Sequence, residues 1–188
     1  MAALVNTCTA GDAAQPGASA ESICILCGSP RANGRSTRLA RSLAERLALE
    51  HPSARIKVLS VADLDIAGCI GCNACCDTGE CVFDDGMTVV RKALDGADEL
   101  HVVCPVYFAG PPSQMKALLD RLQPHFWLGT RLQPKRPAHL HVVGEGGDPH
   151  GFDPLVTICR SALAVAGFEL LDVEAHIGSE APGEDGRA

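Results

Sequence analysis

The chain has 188 residues, of which 46% are hydrophobic, and a formal net charge of -7 at pH 7. This suffices for the core of one full-sized globular domain and excludes a disordered chain. The acidic balance excludes a general nucleic-acid binder, whose ligand demands a basic face. No apolar run approaches the ~20 residues that cross a bilayer, and no basic segment followed by an apolar core opens the chain, which predicts a cytoplasmic protein. Ten cysteines are many for this length. Without an export signal they point to metal or redox chemistry rather than a disulfide frame.

Residues 1–21 are rich in Ala, Gly, Ser and Thr and read as a mobile tail; Cys8 lies there without an assigned role. Ile23-Cys24-Ile25-Leu26-Cys27 is a short apolar run that predicts a buried strand. Gly28 to Thr37 follows, a polar loop leading into an amphipathic helix expected over Ser36 to Glu50, with Ser36 as its N-cap and Pro52 marking its stop. A strand, a tight loop and a helix N-terminus together make an anion site, because free backbone N–H groups and the positive end of the helix dipole point the same way. Gly28 and Gly34 ease the turns, Ser29, Ser36 and Thr37 offer hydroxyls, and Arg31, Arg35, Arg38 and Arg41 surround the loop. This reads as a phosphate cradle. The alternative is an ordinary strand-to-helix turn with a solvated arginine face. The spacing matches neither the nucleotide-triphosphate loop nor the Gly-x-Gly-x-x-Gly dinucleotide fingerprint.

Arg55 to Leu59 predicts a second strand, and 61–86 a long non-repetitive segment of the kind that is usually functional. Helical spacing returns over Met87 to Leu94, a third strand is expected over Glu99 to Cys104, and Pro105 to Pro112 forms a rigid loop. Ser113 is placed to cap a helix with Met115, Leu118, Leu119 and Leu122 on one face. An irregular connection over 123–137 holds Trp127, a fourth strand runs Ala138 to Val143, and 144–149 is the glycine-rich loop at its end. Asp153 and Pro154 suit the start of a last helix, Gly167 its end, and Phe168 to Val173 a fifth strand before a loose tail from Gly178. Alternating strands and helices predict an α/β fold with a parallel sheet and helices on both faces. Ligands in such sheets bind beyond the carboxyl ends of the strands. The loops at 28–37, 105–112 and 144–149 are therefore expected to gather around one ligand.

Cys69-Ile70-Gly71-Cys72-Asn73-Ala74-Cys75 places two CxxC steps in tandem, and Cys81 follows. Four thiolates so spaced, with Gly71 and Gly79 allowing a tight curl, suit a [4Fe–4S] cluster. Zinc, and a disulfide pair or uncommitted thiols, are the alternatives. Cys76 could substitute for a ligand or be a bystander, whereas Cys24, Cys27, Cys104 and Cys159 read as small buried hydrophobes.

Gly28-Ser29-Pro30-Arg31 with Gly34-Arg35-Ser36, the cysteine run with Asp84-Asp85-Gly86-Met87, and Pro105-Val106-Tyr107-Phe108 with Lys116 and Asp120-Arg121 resemble the NADPH-dependent FMN reductase group of flavodoxin-like proteins. Within it the chain is most similar to the iron–sulfur flavoproteins. The resemblance implies a flavodoxin-like three-layer sandwich over 22–177, with a five-stranded parallel sheet of order 2-1-3-4-5 and a cysteine-rich insert at 65–86. It implies FMN held at its phosphate by Ser29, Arg31, Gly34, Ser36 and Thr37. Pro105, Val106, Tyr107 and Phe108 would line the ring, with Gly144, Gly146 and Gly147 approaching from the other side. It implies a [4Fe–4S] cluster on Cys69, Cys72, Cys75 and Cys81, NAD(P)H as co-substrate, a small-molecule or protein electron acceptor, and a homodimer or homotetramer. Tyr107 and Phe108 taken alone read equally as core aromatics, and His150 as a proton-transfer group or a surface histidine. No catalytic acid is required, because the cofactor carries the chemistry. The leading reading is an FMN-dependent NAD(P)H oxidoreductase that also holds a cluster. The alternatives are a cluster-free NAD(P)H-dependent quinone or FMN reductase with structural cysteines, and a non-enzymatic flavin electron carrier or redox sensor.

Overall fold

The computed structural model describes residues 20–178. The two expected tails, with Cys8, fall almost wholly outside the described residues. In chain order the elements are β1 (Ser22–Cys27), α1 (Arg35–Glu50), β2 (Arg55–Ser60), α2 (Ala74–Thr78), α3 (Met87–Asp95), β3 (Glu99–Pro105), α4 (Ser113–Asp120), α5 (Gln123–Trp127), a single 3-10 turn (Thr130–Leu132), β4 (Arg136–Gly144), α6 (Asp153–Val165) and β5 (Phe168–Ile177). The strands form one sheet in the order β2-β1-β3-β4-β5, and every neighbouring pair is parallel. This is the flavodoxin-like order that the sequence resemblance implies. The chain reverses direction across the sheet between β1 and β3, so the loops leaving these strands diverge and open a crevice.

The central strands are apolar on both faces because both faces are covered. Cys24, Leu26, Leu100, Val102, Cys104, Leu140 and Val142 pack against Met87, Val90 and Leu94 of α3, Met115 and Leu118 of α4, and Leu155, Cys159 and Leu163 of α6. On the opposite face Ile23, Ile25, Cys27, Val103 and Val143 meet Ala40, Leu43 and Leu47 of α1. Burial of Leu43 and Leu47 stabilises the docking of α1 by roughly 1.5–3 kcal/mol each. Cys24, Cys27, Cys104 and Cys159 are all buried, as their apolar surroundings predict. Burial pushes the Cys24 thiol up to about 11 and Cys159 up to about 12, so both stay protonated and inert.

Two guanidiniums, Arg136 half-buried and Arg121 buried, fasten the connections. Arg136 donates from Nη1 to Leu94 O and Ala97 O, both at 2.7 Å, and from Nη2 to Ala166 O at 3.0 Å, with its carbon 4.0 Å from the Phe168 ring centroid. It thus satisfies carbonyls at the C-terminal ends of two helices, where a cation is favoured. Arg121 is 1% exposed and forks onto Asp85, donating to Oδ2 at 2.8 Å and Oδ1 at 3.1 Å, while Nη1 also donates to Ala67 O at 2.8 Å. One side chain from the end of α4 thereby ties both flanks of the cysteine segment to the core.

The structure departs from the sequence expectations mainly at element ends. α1 begins at Arg35, with Gly34 at the N-cap position and no side-chain cap, so Ser36 lies in the first turn. α4 and α6 likewise start one residue after Pro112 and Phe152, which makes Ser113 and Asp153 first-turn residues rather than caps. The segments expected to be irregular contain the short helices α2 and α5 and the 3-10 turn. β5 continues to Ile177, past the expected end at Val173. Its last residues alternate charged and apolar, a pattern of one covered and one polar face.

Candidate functional site

The first predicted loop leaves β1 at Gly28, whose N–H donates to Val103 O at 2.8 Å. A Cβ here would meet Met115 Cγ at 3.0 Å and Cys104 Sγ at 3.1 Å, so the close approach of loop to α4 requires glycine. Within the loop Arg31 N–H donates to Ser29 Oγ at 3.2 Å, and Thr37 Oγ1 donates to Arg31 O at 2.8 Å. The first i to i-4 bond of α1 runs from Arg38 N–H to Gly34 O at 3.0 Å. The amides of the first turn, which precede it, are those that an α-helix leaves without acceptors inside the helix, at the positive end of its dipole.

The second loop follows β3. Val106 N–H donates to Val143 O at 2.9 Å, and Tyr107 and Gly110 exchange backbone hydrogen bonds of 2.8 and 3.1 Å. This tight bridge forces Phe108 and Ala109 into the left-handed region, with φ of 50° and 62°. Non-glycine residues avoid that region, and such strain concentrates at ligand sites. Phe108 is 101% exposed and Tyr107 40% exposed, so neither is a core aromatic. The third loop follows β4, where Gly146 and Gly147 both take φ of 87°, which only glycine accepts without strain.

The three loops line one cavity of about 490 Å³, a volume within the range of small-molecule sites. Of the sequence-predicted cofactor residues, Ser29, Arg31, Gly34, Ser36, Pro105, Val106, Tyr107, Phe108, Gly144, Gly146 and Gly147 all face it. Thr37 does not line the cavity; it braces the loop from behind. His150 is exposed on the surface and also absent from the wall. Sequence reasoning set Arg35 around the first loop without naming it among the cofactor residues, and it missed Val143, Gly151, Phe152 and Ile177 as lining residues. Arg35 donates to Gly144 O at 3.4 Å and His176 O at 3.5 Å, so it joins the first loop to the ends of β4 and β5. Arg31 and Arg35 supply positive charge to the lining beside α1, and the third loop adds Glu145 and Asp148. An anionic tail is favoured beside the two arginines.

A second hollow, of about 390 Å³, shares no lining residue with the first. Cys69, Cys72, Cys75 and Cys81 all face it, beside Phe83, Arg121, Pro124 and Trp127. Left-handed φ values of 66°, 60° and 69° at Gly71, Asn73 and Gly79 curl the chain around it. Burial, and then the proximity of Cys81, Cys69 and Cys72, push the Cys75 thiol up. Four thiolates here need a cationic centre to coexist. Arg121 also reaches the Cys81 sulfur. Cys76 is exposed and stands outside the lining. Four thiols facing one hollow are the donor type that an iron–sulfur cluster takes.

An iron–sulfur flavoprotein of Methanocaldococcus jannaschii is 36% identical over 99 residues, covering 53% of this chain and 50% of that protein. The match therefore spans about half the length of that relative. Among solved structures, an FMN-dependent NADH-azoreductase of Bacillus anthracis in complex with FMN superposes with a TM-score of 0.64 at 12% identity, covering 84% of this chain and 88% of that one. An apo NADH:FMN oxidoreductase gives a TM-score of 0.55 at 24% identity, covering 84% and 75%. These superpositions establish a shared fold. The sequence model of the NADPH-dependent FMN reductases runs over residues 22–167, from the first residue of β1 to the turn before β5, and takes in all three loops together with the cysteine segment. The chain belongs to the NADPH-dependent FMN reductase family.

Proposed function

We propose that the chain is an FMN-dependent NAD(P)H oxidoreductase of the iron–sulfur flavoprotein type. The observation that carries this reading is the convergence of three strand-end loops on one cavity, basic where α1 begins and walled by Tyr107 and Phe108 further along. Ser29, Arg31, Gly34, Ser36 and the first amides of α1 hold the phosphate. Arg35 holds the first and third loops in register. Pro105 to Phe108 offer an apolar wall to the ring, and the backbone at Gly144, Gly146 and Gly147 comes close without side chains in the way. Bound there, FMN supplies hydride acceptance and one-electron transfer. The protein's own task is to orient the ring, keep water from one face and leave the other open to reduced nicotinamide. Cys69, Cys72, Cys75 and Cys81 hold a [4Fe–4S] cluster in the second hollow, and Arg121 balances part of its negative charge.

Because the two hollows have no wall in common, the flavin site stands without the cluster. That separation favours, as second reading, a quinone or FMN reductase with structural cysteines. Anaerobic purification with flavin and iron analysis distinguishes them. The expected result is one FMN and about four iron atoms per chain, with a broad brown absorbance that dithionite bleaches. Flavin without iron after reconstitution with iron and sulfide supports the second reading. Protein that takes up neither overturns both.

A further inference from the structure

Beyond α1, the sheet face that this helix leaves uncovered carries a set of ionisable side chains that the flavin site does not use. Register brings them together: His101 pairs with His139 across β3 and β4, His139 with Asp172 and His141 with Glu174 across β4 and β5. Glu99 Oε1 lies 2.8 Å from His101 Nε2 and 3.4 Å from His139 Nε2. His141 Nδ1 lies 3.1 Å from Glu174 Oε2, and His176 Nε2 lies 3.5 Å from Glu174 Oε1. Within each of these two trios the ligand atoms all fall within 4.8 Å of one another. Zinc–nitrogen and zinc–oxygen bonds of about 2.0–2.2 Å place tetrahedral donors about 3.3 Å apart, so small side-chain rotations close either trio on an ion.

Counting protons shows what is missing. A neutral imidazole has one N–H. His101 and His141 together have two, yet three contacts require one: His101 Nε2 with Glu99 at 2.8 Å, His101 Nδ1 with His141 Nε2 at 3.2 Å, and His141 Nδ1 with Glu174 at 3.1 Å. One contact is then lone pair against lone pair. His141 is 4% exposed, and its Nδ1, though 3.1 Å from Glu174 Oε2, is buried without a well-aligned hydrogen bond. His176 Nε2 is in the same position. His139, by contrast, has its other nitrogen 2.8 Å from Asp172 Oδ2. That is the outer carboxylate that orients a metal-bound imidazole. Arg46 of α1 is the cation facing His101 and His141, and it stands against the carboxylates of Glu99, Asp172 and Glu174.

We propose that this face binds one divalent transition-metal ion of the zinc type, on Glu99, His101 and His139. With His101 Nε2 on the ion, Nδ1 donates to His141 Nε2, which leaves the His141 proton on Nδ1 facing Glu174. The ion clamps β3 to β4. The site has three protein donors, which leaves a coordination position for water or an exchangeable ligand. Imidazole-rich donor sets select this class of ion over magnesium or calcium.

The test is equilibrium dialysis of the full chain, chelator-treated and reduced, against cobalt(II), read by metal analysis and absorbance. Thiolate-bound cobalt has an intense near-ultraviolet charge-transfer band, whereas cobalt on imidazole and carboxylate shows only weak visible bands. The expected result is one ion of the second kind per chain, which persists when Cys69 and Cys72 are changed to Ser. His101→Gln with His139→Gln removes it, whereas Glu174→Gln with His176→Gln leaves it bound. Asp172→Asn, at a side chain 62% exposed, keeps the fold and weakens the site by about 10–100-fold. Undiminished binding in the His101–His139 variant, or undiminished affinity in Asp172→Asn, overturns the proposal. So does cobalt that appears only in the thiolate band, which would leave the face a histidine–carboxylate ladder without metal.

Discussion

Arg31 and Ser36 stand on the same wall of the larger cavity, one on the loop and one in the first turn of α1. In the proposed cradle each would offer the phosphate a charged or charge-assisted hydrogen bond, worth roughly 1.5–3 kcal/mol. Arg31→Ala with Ser36→Ala is expected to weaken FMN binding by at least about 10²-fold, as measured by flavin-fluorescence titration of apoprotein, with an unchanged far-ultraviolet spectrum. Unaltered affinity would remove the cradle from this loop. Arg121 acts on stability instead. Its fork on Asp85 is largely buried, and Arg121→Met leaves that carboxylate without its counter-charge, held only by the amides of Ala67 and Met87, at a cost of roughly 3–5 kcal/mol. Urea unfolding measures this. Burial raises the Asp85 carboxyl, but the Arg121 guanidinium and the N–H groups of Met87 and Ala67 outweigh it and hold the group below its ordinary value. A depressed carboxyl stabilises the fold above its unfolded value and loses that contribution as pH falls through the folded one. The acid limb of the stability curve should therefore flatten below about pH 4 in the variant. Ser36 shows how far residue-scale reading reaches. Its type was informative, but its place in the first turn depends on Gly34 taking the cap.

The loop after β3 shows what one element can store. Phe108 is left-handed and wholly exposed, so its side chain contributes nothing to the core while its backbone is strained. Phe108→Gly is expected to raise stability by about 1 kcal/mol, or a Tm gain of about 2–4 °C, while weakening FMN binding. A variant with lower Tm would show that the conformation is not strained. Tyr107 and Phe108 were ambiguous in sequence, because an aromatic pair after an apolar strand suits a core as well as a site. The bridge from Tyr107 to Gly110 decides the matter by turning Phe108 out. The helices α1, α3, α4 and α6 were legible because their apolar spacing is strong. α2 and α5, of five residues each, were not, since a single turn carries too little periodicity.

At the scale of the molecule, the loop tips and the cysteine segment leave Phe108, Ile70, Val82, Trp127, Leu128 and Leu132 exposed. Apolar side chains in such number suit burial against a second copy. Sedimentation velocity is expected to show a dimer or tetramer that a charged substitution at Leu132 weakens, and a monomer at all concentrations would refute this. Among the described residues no helix is long and apolar enough to cross a membrane. The parallel sheet and the gathering of three loops could be read from alternation alone, because parallel βαβ units have one hand and place successive loops at the same edge; the strand order came only with the family resemblance. The cysteine spacing likewise marked its own hollow, since residues that close in sequence cannot be far apart in space. What no single segment contained was the histidine face. Glu99 and His101 precede His139 and His141 by about forty positions, and Asp172, Glu174 and His176 come later still. Each pair alternates at the period of a strand, but alternation tells only that residues share a face. Which strands become neighbours, and in what register, is settled by packing of the whole sheet. The flavin loops were therefore written locally in the sequence, and the histidine–carboxylate ladder came into being only when β3, β4 and β5 were aligned.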